Sequence, residues 1–255
     1  MSATMAITMA GLGSRFARAG HTRPKYEIEV LGRPLFDWSM LSLTAFYEAG
    51  WAFRFATRAG LGAEPYLRAR CAGLGIEIGG IVELAEVTDG QATTAWLLAQ
   101  DAPQDQPFAV YNIDTFVAPG AMVPPEPGAC AGWMPCFGAP GEGWSFARLA
   151  PDGTVAEVRE KQRISEHATV GLYWFDSAAR YCALYERFFA KPGSAEKGER
   201  YIAPMYNQMI EEGARVEIAT LALESVGMLG TPEQVAAFAA TPPPGAQALI
   251  LGAAQ

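Results

Sequence analysis

Patterns that bind metals or form disulfides are absent from the 255-residue sequence. Its two histidines, His21 and His167, stand far apart, and no two of its four cysteines form a Cys-x-x-Cys pair. These spacings argue against a zinc site. Cysteines without such patterns are usually buried thiols, so we predict that the chain belongs to a reducing compartment, the cytoplasm.

Positive charge is scarce as well. The chain has 19 Lys and Arg residues against 27 Asp and Glu residues, which gives a net charge of −8. Non-specific nucleic-acid binding depends on clustered positive charge, so nucleic acid is not predicted as a partner. No apolar run is long enough to cross a bilayer, so no membrane partner is predicted. We interpret the apolar residues 1–10, which have no Lys or Arg before them, as a buried edge of the fold rather than a signal peptide.

The composition is that of a globular protein, since half of the residues are hydrophobic and 18% are charged. The first part of the chain alternates between strand-like and helix-like segments. This β-α-β-α-β series favours an α/β fold with a mainly parallel sheet and helices on both sides. Strands are predicted for the opening segment and for residues 52–57, 76–84 and 108–113, and helices for residues 34–48, 63–72 and 88–99. Thr88, Asp89 and Gly90 offer capping chemistry at the start of the last of these helices.

The pattern changes after residues 119–128, which are rich in proline and glycine. A β-hairpin is predicted at 144–160, with its turn at Pro151-Asp152-Gly153. Strands are predicted at 167–175 and 215–223, helices at 177–190, 201–212 and 232–240, and a charged loop at 191–200. We predict a single domain over residues 1–240, with two halves that divide at residue 118, and a loosely attached tail at 241–255.

A glycine-rich turn follows the opening strand in the run GLGSRF. Gly11 and Gly13 allow a sharp turn and leave backbone N–H groups uncovered, as the binding of a polyphosphate requires. Arg15 follows the turn, and Lys25 lies ten residues later, behind Pro24. An arginine can bind two phosphate oxygens at once and a lysine adds a movable charge, so these residues predict a triphosphate site. The run has neither the glycine spacing of a Rossmann turn nor the Gly-Lys-Ser/Thr of a P-loop.

Asp114 directly follows the strand predicted at 108–113. Open α/β sheets bind their ligands at the carboxyl ends of strands, where a carboxylate can hold Mg²⁺ against phosphate oxygens. A carboxylate that caps a helix or lies in a loop is the alternative. Gln91 carries an amide that suits the edge of a nucleotide base, but it can equally be an exposed first-turn residue. Glu160 and Lys161 can bind the hydroxyls and the phosphate of an acceptor, or form an ordinary surface ion pair.

Taken together, these segments resemble the sugar-phosphate nucleotidyltransferases. The resemblance rests on GLGSRF, RPK, GRPL, NIDTF, EK-x-x-I-S, ATVGLYWF, YIAPMYN and LGTPE, which follow one another in order from Ile7 to Phe238. These runs look most similar to the branch of the family from capsule and surface-polysaccharide gene clusters, some of which uses CTP. The resemblance implies a Rossmann-like, GT-A-like fold with a β-hairpin excursion that binds the acceptor. Residues 1–118 then form the nucleotide-binding half, and residues 119–240 the acceptor-binding half.

The resemblance also implies a role for each matching residue. Mg²⁺ is expected on Asp114, and catalysis is expected to use Arg15, Lys25 and Lys161. The nucleoside triphosphate, which is CTP, dTTP or UTP, is expected to contact Ala10, Gly11, Leu12, Gly13, Ser14, Gly90, Gln91 and Asn112. The phosphorylated acceptor is expected to contact Glu160, Lys161, Gly171 and Tyr173.

Two positions depart from the pattern of the family. Met228 stands where many relatives have an aspartate that is a second metal ligand. Phosphates and water then complete the metal shell, or Glu224 replaces that ligand, or catalysis has been lost. Val170 replaces a polar residue that often precedes Gly171, which puts the hydroxyl contacts of an ordinary hexose in doubt.

We therefore predict a Mg²⁺-dependent nucleotidyltransferase of surface-polysaccharide biosynthesis that joins an NTP to a small phosphorylated acceptor and releases pyrophosphate. One alternative is a GT-A glycosyltransferase, which consumes a nucleotide sugar and needs no triphosphate site, so Arg15 and Lys25 argue against it. The other alternative, which Met228 motivates, is a non-catalytic paralogue that binds nucleotide and regulates a partner. The predicted partners are small molecules, and a homo-oligomer is left open.

Overall fold

The order of helices and strands is given by a computed structural model that describes residues 2–252. The strands are β1 (Thr4–Thr8), β2 (Glu29–Val30), β3 (Arg33–Pro34), β4 (Ala52–Arg58), β5 (Glu77–Leu84), β6 (Phe108–Tyr111), β7 (Thr115–Val117), β8 (Gly132–Phe137), β9 (Ser145–Leu149), β10 (Val155–Glu160), β11 (Ala168–Thr169), β12 (Leu172–Phe175), β13 (Val216–Leu221) and β14 (Val226–Met228). The helices are α1 (Ser14–Arg18), α2 (Leu35–Leu41), α3 (Thr44–Glu48), α4 (Ala63–Leu74), α5 (Gln91–Ala99), α6 (Ala178–Phe189), α7 (Met205–Glu211), α8 (Pro232–Ala240) and α9 (Pro244–Gly252). Short 3-10 turns lie at Lys25–Glu27 and Leu223–Ser225.

Ten strands form one mixed sheet in the order β10-β9-β11-β8-β12-β6-β1-β4-β5, with β13 paired to β8. The pairs β1–β4, β1–β6, β4–β5 and β8–β13 are parallel. The other pairs of this sheet are antiparallel, among them the predicted hairpin β9–β10. The predicted α/β class, a mixed sheet flanked by helices with a β-hairpin excursion, is confirmed. Its continuous parallel part lies in the first half of the chain.

Apolar side chains are buried on both faces of the sheet. Phe53 and Phe55 of β4 point to one face and pack with Phe36 of α2. Val110 of β6 points to the other face and belongs to the same cluster as Tyr181 of α6. Full burial of a large apolar side chain contributes about 1.5–3 kcal/mol, so helices on both faces hold the strand ends firmly in place.

The opening strand lies in the middle of the sheet, not at its edge. β1 pairs with β4 on one side and with β6 on the other. Four of its five residues are buried, as is usual for a parallel strand covered on both faces. The interpretation of this segment as an edge is therefore wrong, and Met1 lies outside the described residues.

Two predicted elements are interrupted, and a third begins later than predicted. The helix predicted at 34–48 divides into α2 and α3 at Leu43, which departs from helical angles with φ −101° and ψ 19°; beside it, Ser42 Oγ accepts a hydrogen bond from Val117 N over 2.8 Å. The strand predicted at 167–175 divides into β11 and β12 next to Gly171, whose φ of +86° is a conformation that favours glycine. The helix predicted at 201–212 begins only at Met205.

The tail predicted at 241–255 is instead helical as far as the structure describes it. Pro244–Gly252 form α9, and Ala246 is fully buried in a cluster with Trp38 and Phe238. A Cβ on Gly245 would come within 2.8 Å of Ala118 Cβ, so this helix packs closely against the segment after β7. Residues 253–255 lie outside the described range. Among the helices of residues 2–252, none has both the length and the apolar character of a membrane span.

Candidate active site

A cleft of about 810 Å³ opens where strands β1, β4 and β6 end. Its walls come from the loop after β1, from Arg58 at the end of β4, from the turn before α5 and from residues 112–114 after β6. Parallel strands present their carboxyl ends at one edge of a sheet, where open α/β folds bind ligands. The structure thus brings together the segments in which the sequence predicts a nucleotide site.

The glycine-rich loop forms one side of this cleft. Ala10, Gly11, Leu12, Gly13 and Ser14 all line it. Gly13 has a φ of +60°, a left-handed conformation that favours glycine and turns the chain into α1. A Cβ on Gly11 would meet nothing within 4 Å, so the backbone is open on that side. The loop can therefore approach a ligand through its backbone.

Lys25 and Asp114 face each other in the cleft. Lys25 Nζ lies 3.6 Å from Asp114 Oδ2, and the two side chains are 15% and 41% exposed. Burial lowers the pKa of Lys25, the carboxylate of Asp114 offsets part of this effect, and Arg15 lowers the pKa further. Arg15 is exposed and lines the same cleft. Two cations and one carboxylate therefore converge at the ends of β1 and β6.

The surroundings of Asp114 fit a magnesium ion that would be bound by one protein carboxylate and by the phosphates of a substrate. Within residues 2–252, no three His, Cys, Asp or Glu side chains converge as a metal-binding group. Mg²⁺ commonly takes one or two protein carboxylates and completes its shell with phosphates and water, which a half-exposed carboxylate in a cleft allows. Met228 pairs with Thr115, next to Asp114 in the chain, and cannot coordinate this ion. Glu224 lies in the turn before β14, outside the cleft walls.

Gln91 lines the cleft with an amide that is held from two sides. Its Nε2 donates to Thr8 Oγ1 over 3.2 Å and also to Asn112 Oδ1. Asn112 in turn packs against Gly171, where a Cβ would come within 2.5 Å of Asn112 Nδ2. Because the Nε2 group is engaged by the protein, the Gln91 Oε1 atom is left to accept a hydrogen bond from a ligand.

The capping predicted before Gln91 is confirmed for one of its three residues. Gly90 is the N-cap residue of α5, but no side chain caps this helix. Thr88 Oγ1 donates to the carbonyl of Gly90, and the Asp89 carboxylate forms an ion pair with Arg200 over 2.9 Å. The capping predicted from Thr88 and Asp89 is therefore wrong, because both side chains bind other groups.

The predicted acceptor residues form a second cluster that does not belong to the cleft walls. Glu160 accepts a hydrogen bond from Ser145 Oγ, which lies 3.4 Å from the Tyr173 hydroxyl. Lys161 Nζ lies 3.6 Å from Glu160 Oε1 and donates to the Tyr201 hydroxyl over 2.6 Å. Burial acts to lower the pKa of Lys161, but Tyr201 and the nearby carboxylates outweigh it and raise the pKa above its ordinary value.

This acceptor cluster is joined to the cleft at two points. Gly171 belongs to the predicted acceptor residues and touches Asn112 in the cleft wall. Glu199 lines the cleft and accepts a hydrogen bond from Tyr201, which contacts Lys161. The two groups of predicted residues are therefore neighbours.

Several residues that line the cleft are not among the site residues predicted from the sequence. Arg58, Arg23 and His21 line the cleft and add positive or titratable groups to it. Arg58 ends β4, so the strand-end argument that selects Asp114 would also have selected it. Glu199 lies in the charged loop, whose position next to the cleft is set by contacts distant in sequence.

A glycine loop, two cations and a carboxylate at the strand ends of an α/β sheet define the class of nucleotide-binding transferases with a mixed sheet. The fold is similar to that of a nucleoside-diphosphate-sugar pyrophosphorylase from Vibrio cholerae RC9, with a TM-score of 0.85. The two sequences are 34% identical, and the match covers 93% of this chain and 100% of that one. The chain belongs to the sugar-phosphate nucleotidyltransferase family. No protein-family model and no curated protein sequence matches it.

Two further solved structures share the fold at low sequence identity. The inositol-1-phosphate CTP transferase from T. maritima is 15% identical, with a TM-score of 0.68 and coverage of 91% of this chain and 90% of that one. The CTP:phosphocholine cytidylyltransferase from Streptococcus pneumoniae is 15% identical, with a TM-score of 0.72 and coverage of 94% and 99%. At such identity the likeness shows the fold alone.

Proposed function

We propose that the protein transfers a nucleotidyl group from an NTP to the phosphate of a small acceptor and releases pyrophosphate. The observation that carries this proposal is the convergence of Arg15, Lys25 and Asp114 on one cleft at the strand ends. Membership in a family that includes a nucleoside-diphosphate-sugar pyrophosphorylase supports the same class of reaction. The four cysteines are free thiols, which agrees with the cytoplasm as the compartment that we propose.

The reaction needs little beyond positioning and neutralisation of charge. An oxygen of the acceptor phosphate forms a bond to the α-phosphorus, and the bond from the α-phosphorus to the β-phosphate oxygen breaks. The acceptor phosphate is already an anion at neutral pH, so no general base is required. Arg15 binds the leaving β- and γ-phosphates, and Lys25 reaches toward the α-phosphate and the acceptor. Asp114 holds Mg²⁺, which supplies further charge neutralisation at the phosphate oxygens when bound.

On the acceptor side, Lys161 meets the phosphate and Glu160 accepts hydrogen bonds from hydroxyl groups. The Lys161 side chain is 49% exposed, so its ammonium can turn to a ligand, whereas Glu160 is 8% exposed and held by Ser145. Tyr173 and Gly171 form the wall behind them. The acceptor that we propose is a sugar phosphate or a related phosphorylated metabolite of surface-polysaccharide biosynthesis.

CTP is the nucleotide that we favour over dTTP and UTP. Gln91 lines the cleft and its Nε2 is engaged by Thr8 and Asn112, so its Oε1 is the amide atom that remains to accept from a base. The 4-amino group of cytosine is a donor that suits this atom, whereas uracil and thymine carry an acceptor oxygen at that position and can donate only from N3–H. Sequence similarity to a branch that includes CTP-dependent members supports the same choice.

The test is a thermal-shift panel of CTP, UTP, dTTP, GTP and ATP with Mg²⁺, followed by a pyrophosphate assay with phosphorylated acceptors. We expect the largest shift with CTP and pyrophosphate release in step with product formation. Glucose 1-phosphate, inositol 1-phosphate and phosphocholine are suitable acceptors to begin with. Release of a nucleoside diphosphate from a nucleotide sugar would instead support the glycosyltransferase alternative.

The regulatory alternative predicts a different result. It is motivated by Met228, which stands where many members of the family have a second metal-binding aspartate. Tight binding of an NTP without product from any acceptor would support it and would contradict the proposed reaction.

A further inference from the structure

The backbone of Arg200 is bound to the turn that precedes α5. Arg200 N donates to Asp89 O over 2.7 Å, and Arg200 O accepts from Ala92 N over 3.1 Å. Gly90 lies between these bonds, and a Cβ there would come within 2.4 Å of Arg200 O. Since no side chain caps α5, this carbonyl satisfies an N–H group that a helix leaves open at its start. Residue 200 therefore completes the turn that presents Gln91 to the cleft.

The side chain of Arg200 ties the same turn to α6. Its Nε lies 2.9 Å from Asp89 Oδ2, and its Nη1 donates to the Tyr185 hydroxyl over 2.6 Å. The guanidinium carbon lies 5.1 Å from the centre of the Phe189 ring. These contacts use the charge, the hydrogen bonds and the flat face of the guanidinium at once, so residue 200 has little freedom to move.

The next residue contacts the acceptor lysine. The Tyr201 hydroxyl accepts from Lys161 Nζ over 2.6 Å and donates to Glu199, and the ammonium lies 4.4 Å from the centre of the Tyr201 ring. Lys161 itself has a φ of +51°, a left-handed conformation that costs a non-glycine residue free energy. Such a residue keeps its place only when its surroundings hold it, and Tyr201 is one of the groups that do so.

The same segment is fixed to the acceptor half at its other end. Asn207 Oδ1 accepts from Val158 N and Asn207 Nδ2 donates to Val158 O, each over 2.8 Å. Val158 belongs to β10, the strand that ends at Glu160 and leads into Lys161. Residues 200–207, which we call the strap, are thus bound at one end to the turn of Gln91 and at the other to β10.

We propose that the strap sets the position of Lys161 relative to the nucleotide-reading turn, with Arg200 and Tyr201 as positioning residues. The inference rests on the proposed function, in which Gln91 meets the base and Lys161 meets the acceptor phosphate. In-line transfer requires the acceptor phosphate and the α-phosphorus to be held in a fixed relation. The strap connects the two halves of the site within a few residues, so it can provide that relation.

The experiment measures how fast Lys161 is acylated by a limiting amount of an amine-reactive acetyl ester, with peptide mass spectrometry as the readout. Lys161 is half-exposed, so the reagent can reach it, and the exposed Lys191 serves as a reference within the same chain. Only the neutral amine reacts, and the contacts with Tyr201 and the nearby carboxylates keep Lys161 protonated. Tyr201→Phe should speed its acylation by about threefold or more, because each pKa unit changes the neutral fraction about tenfold.

The decisive variant is Arg200→Ala, because Arg200 has no contact of its own with Lys161. We expect Lys161 to be acylated about twofold faster than in the wild type, while the acylation rate of Lys191 is unchanged. In Arg200→Lys the rate at Lys161 should return part of the way to the wild-type value. Tyr47→Phe removes a hydroxyl that contacts Thr44 in α3, and it should leave Lys161 unchanged.

Equal Lys161 acylation in the wild type and in Tyr201→Phe would overturn the role of Tyr201. Equal acylation in the wild type and in Arg200→Ala would overturn the coupling to the nucleotide turn. Pyrophosphate release by the wild type tests the proposed function without using these rates. The strap and the proposed function can therefore fail separately.

Discussion

Replacement of Lys25 by methionine should greatly reduce activity while leaving the protein stable. Lys25 Nζ lies 3.6 Å from Asp114 Oδ2, but the Asp114 side chain is 41% exposed, so its carboxylate stays hydrated when the lysine is gone. Burial lowers the pKa of Lys25, which means that the fold holds this cation at a cost in hydration. A methionine of similar length avoids that cost, so the free energy of unfolding should change by no more than about 1 kcal/mol.

Arg70 provides the matched comparison, because its partner is buried. Its guanidinium binds Asp37 through two nitrogens, Nε over 2.8 Å, and Asp37 is 1% exposed. Arg70→Met leaves this carboxylate without a partner in the interior, which should lower the free energy of unfolding by about 3 kcal/mol. Arg70 lies in α4, outside the cleft walls, so the folded variant should keep its kcat/KM.

Urea unfolding measures both stabilities, and the pyrophosphate assay measures both activities. For Lys25→Met we expect kcat/KM to fall by about 10²–10³-fold, the usual effect of removing one group that stabilises charge in a transition state. Unchanged pyrophosphate release would refute the role of Lys25 in the reaction. A loss of stability as large as that of Arg70→Met would show instead that Lys25 is part of a structural ion pair.

Three other predictions, one of them with a matched control variant, test separate parts of the site and the fold. In Asp114→Asn, the part of the CTP-induced thermal shift that requires Mg²⁺ should disappear, and equal wild-type shifts in Mg²⁺ and in EDTA would contradict the metal role. Gly171→Ala forces a Cβ within 2.5 Å of Asn112 Nδ2 at a φ of +86°, so stability should fall by about 2 kcal/mol or more and CTP should bind more weakly. Gly153→Ala is the control, because Gly153 has a φ of +85° but a Cβ there would meet no atom within 4 Å. Its free energy of unfolding should fall by about 1 kcal/mol, from the backbone conformation alone, and CTP binding should be unchanged. Burial raises the pKa of Cys130 to about 11 and that of Cys71 to about 12, so the native state keeps these protons above the pH at which the unfolded thiols lose them. The contribution of each thiol to the free energy of unfolding is complete below about pH 8.5. It falls by about 1.4 kcal/mol per pH unit between pH 9 and 11. Cys130→Ala should therefore make the free energy of unfolding, measured by urea titration, fall less steeply with pH.

Local sequence patterns are sufficient to predict most of the parallel half of the fold. Apolar segments that alternate with helix-like ones identify β4, β5 and β6, and turn chemistry identifies the hairpin. Interruptions inside an element are not marked in this way, such as the break between α2 and α3 at Leu43, beside which Ser42 binds Val117 from a distant part of the chain. The same holds for α9, which is buried only because Ala246 finds the cluster around Trp38 and Phe238.

In the site, too, the residues marked by local motifs can be predicted, whereas those placed by contacts distant in sequence cannot. Gly13, Lys25 and Asp114 can be predicted because a motif or a strand end marks each of them, and the structure places all three in one cleft. Arg200 lies in no motif, and Tyr201 opens the run YIAPMYN without any site role being predicted for it. Their contacts with Asp89 and Lys161 depend on how α6 and the loop after it fold back over the sheet.

The Lys25–Asp114 pair suggests why one carboxylate can be enough for the reaction that we propose. Without substrate, each of the two charged groups has the other as a partner at 3.6 Å. A nucleoside triphosphate that arrived with Mg²⁺ would offer phosphate oxygens to Lys25 and a cation to Asp114, so neither charge would be left unpaired. Mg²⁺ alone would compete with Lys25 for the carboxylate and should bind weakly. In this proposal the metal would belong to the substrate complex, and Met228 would be compatible with catalysis because no second protein ligand would be needed.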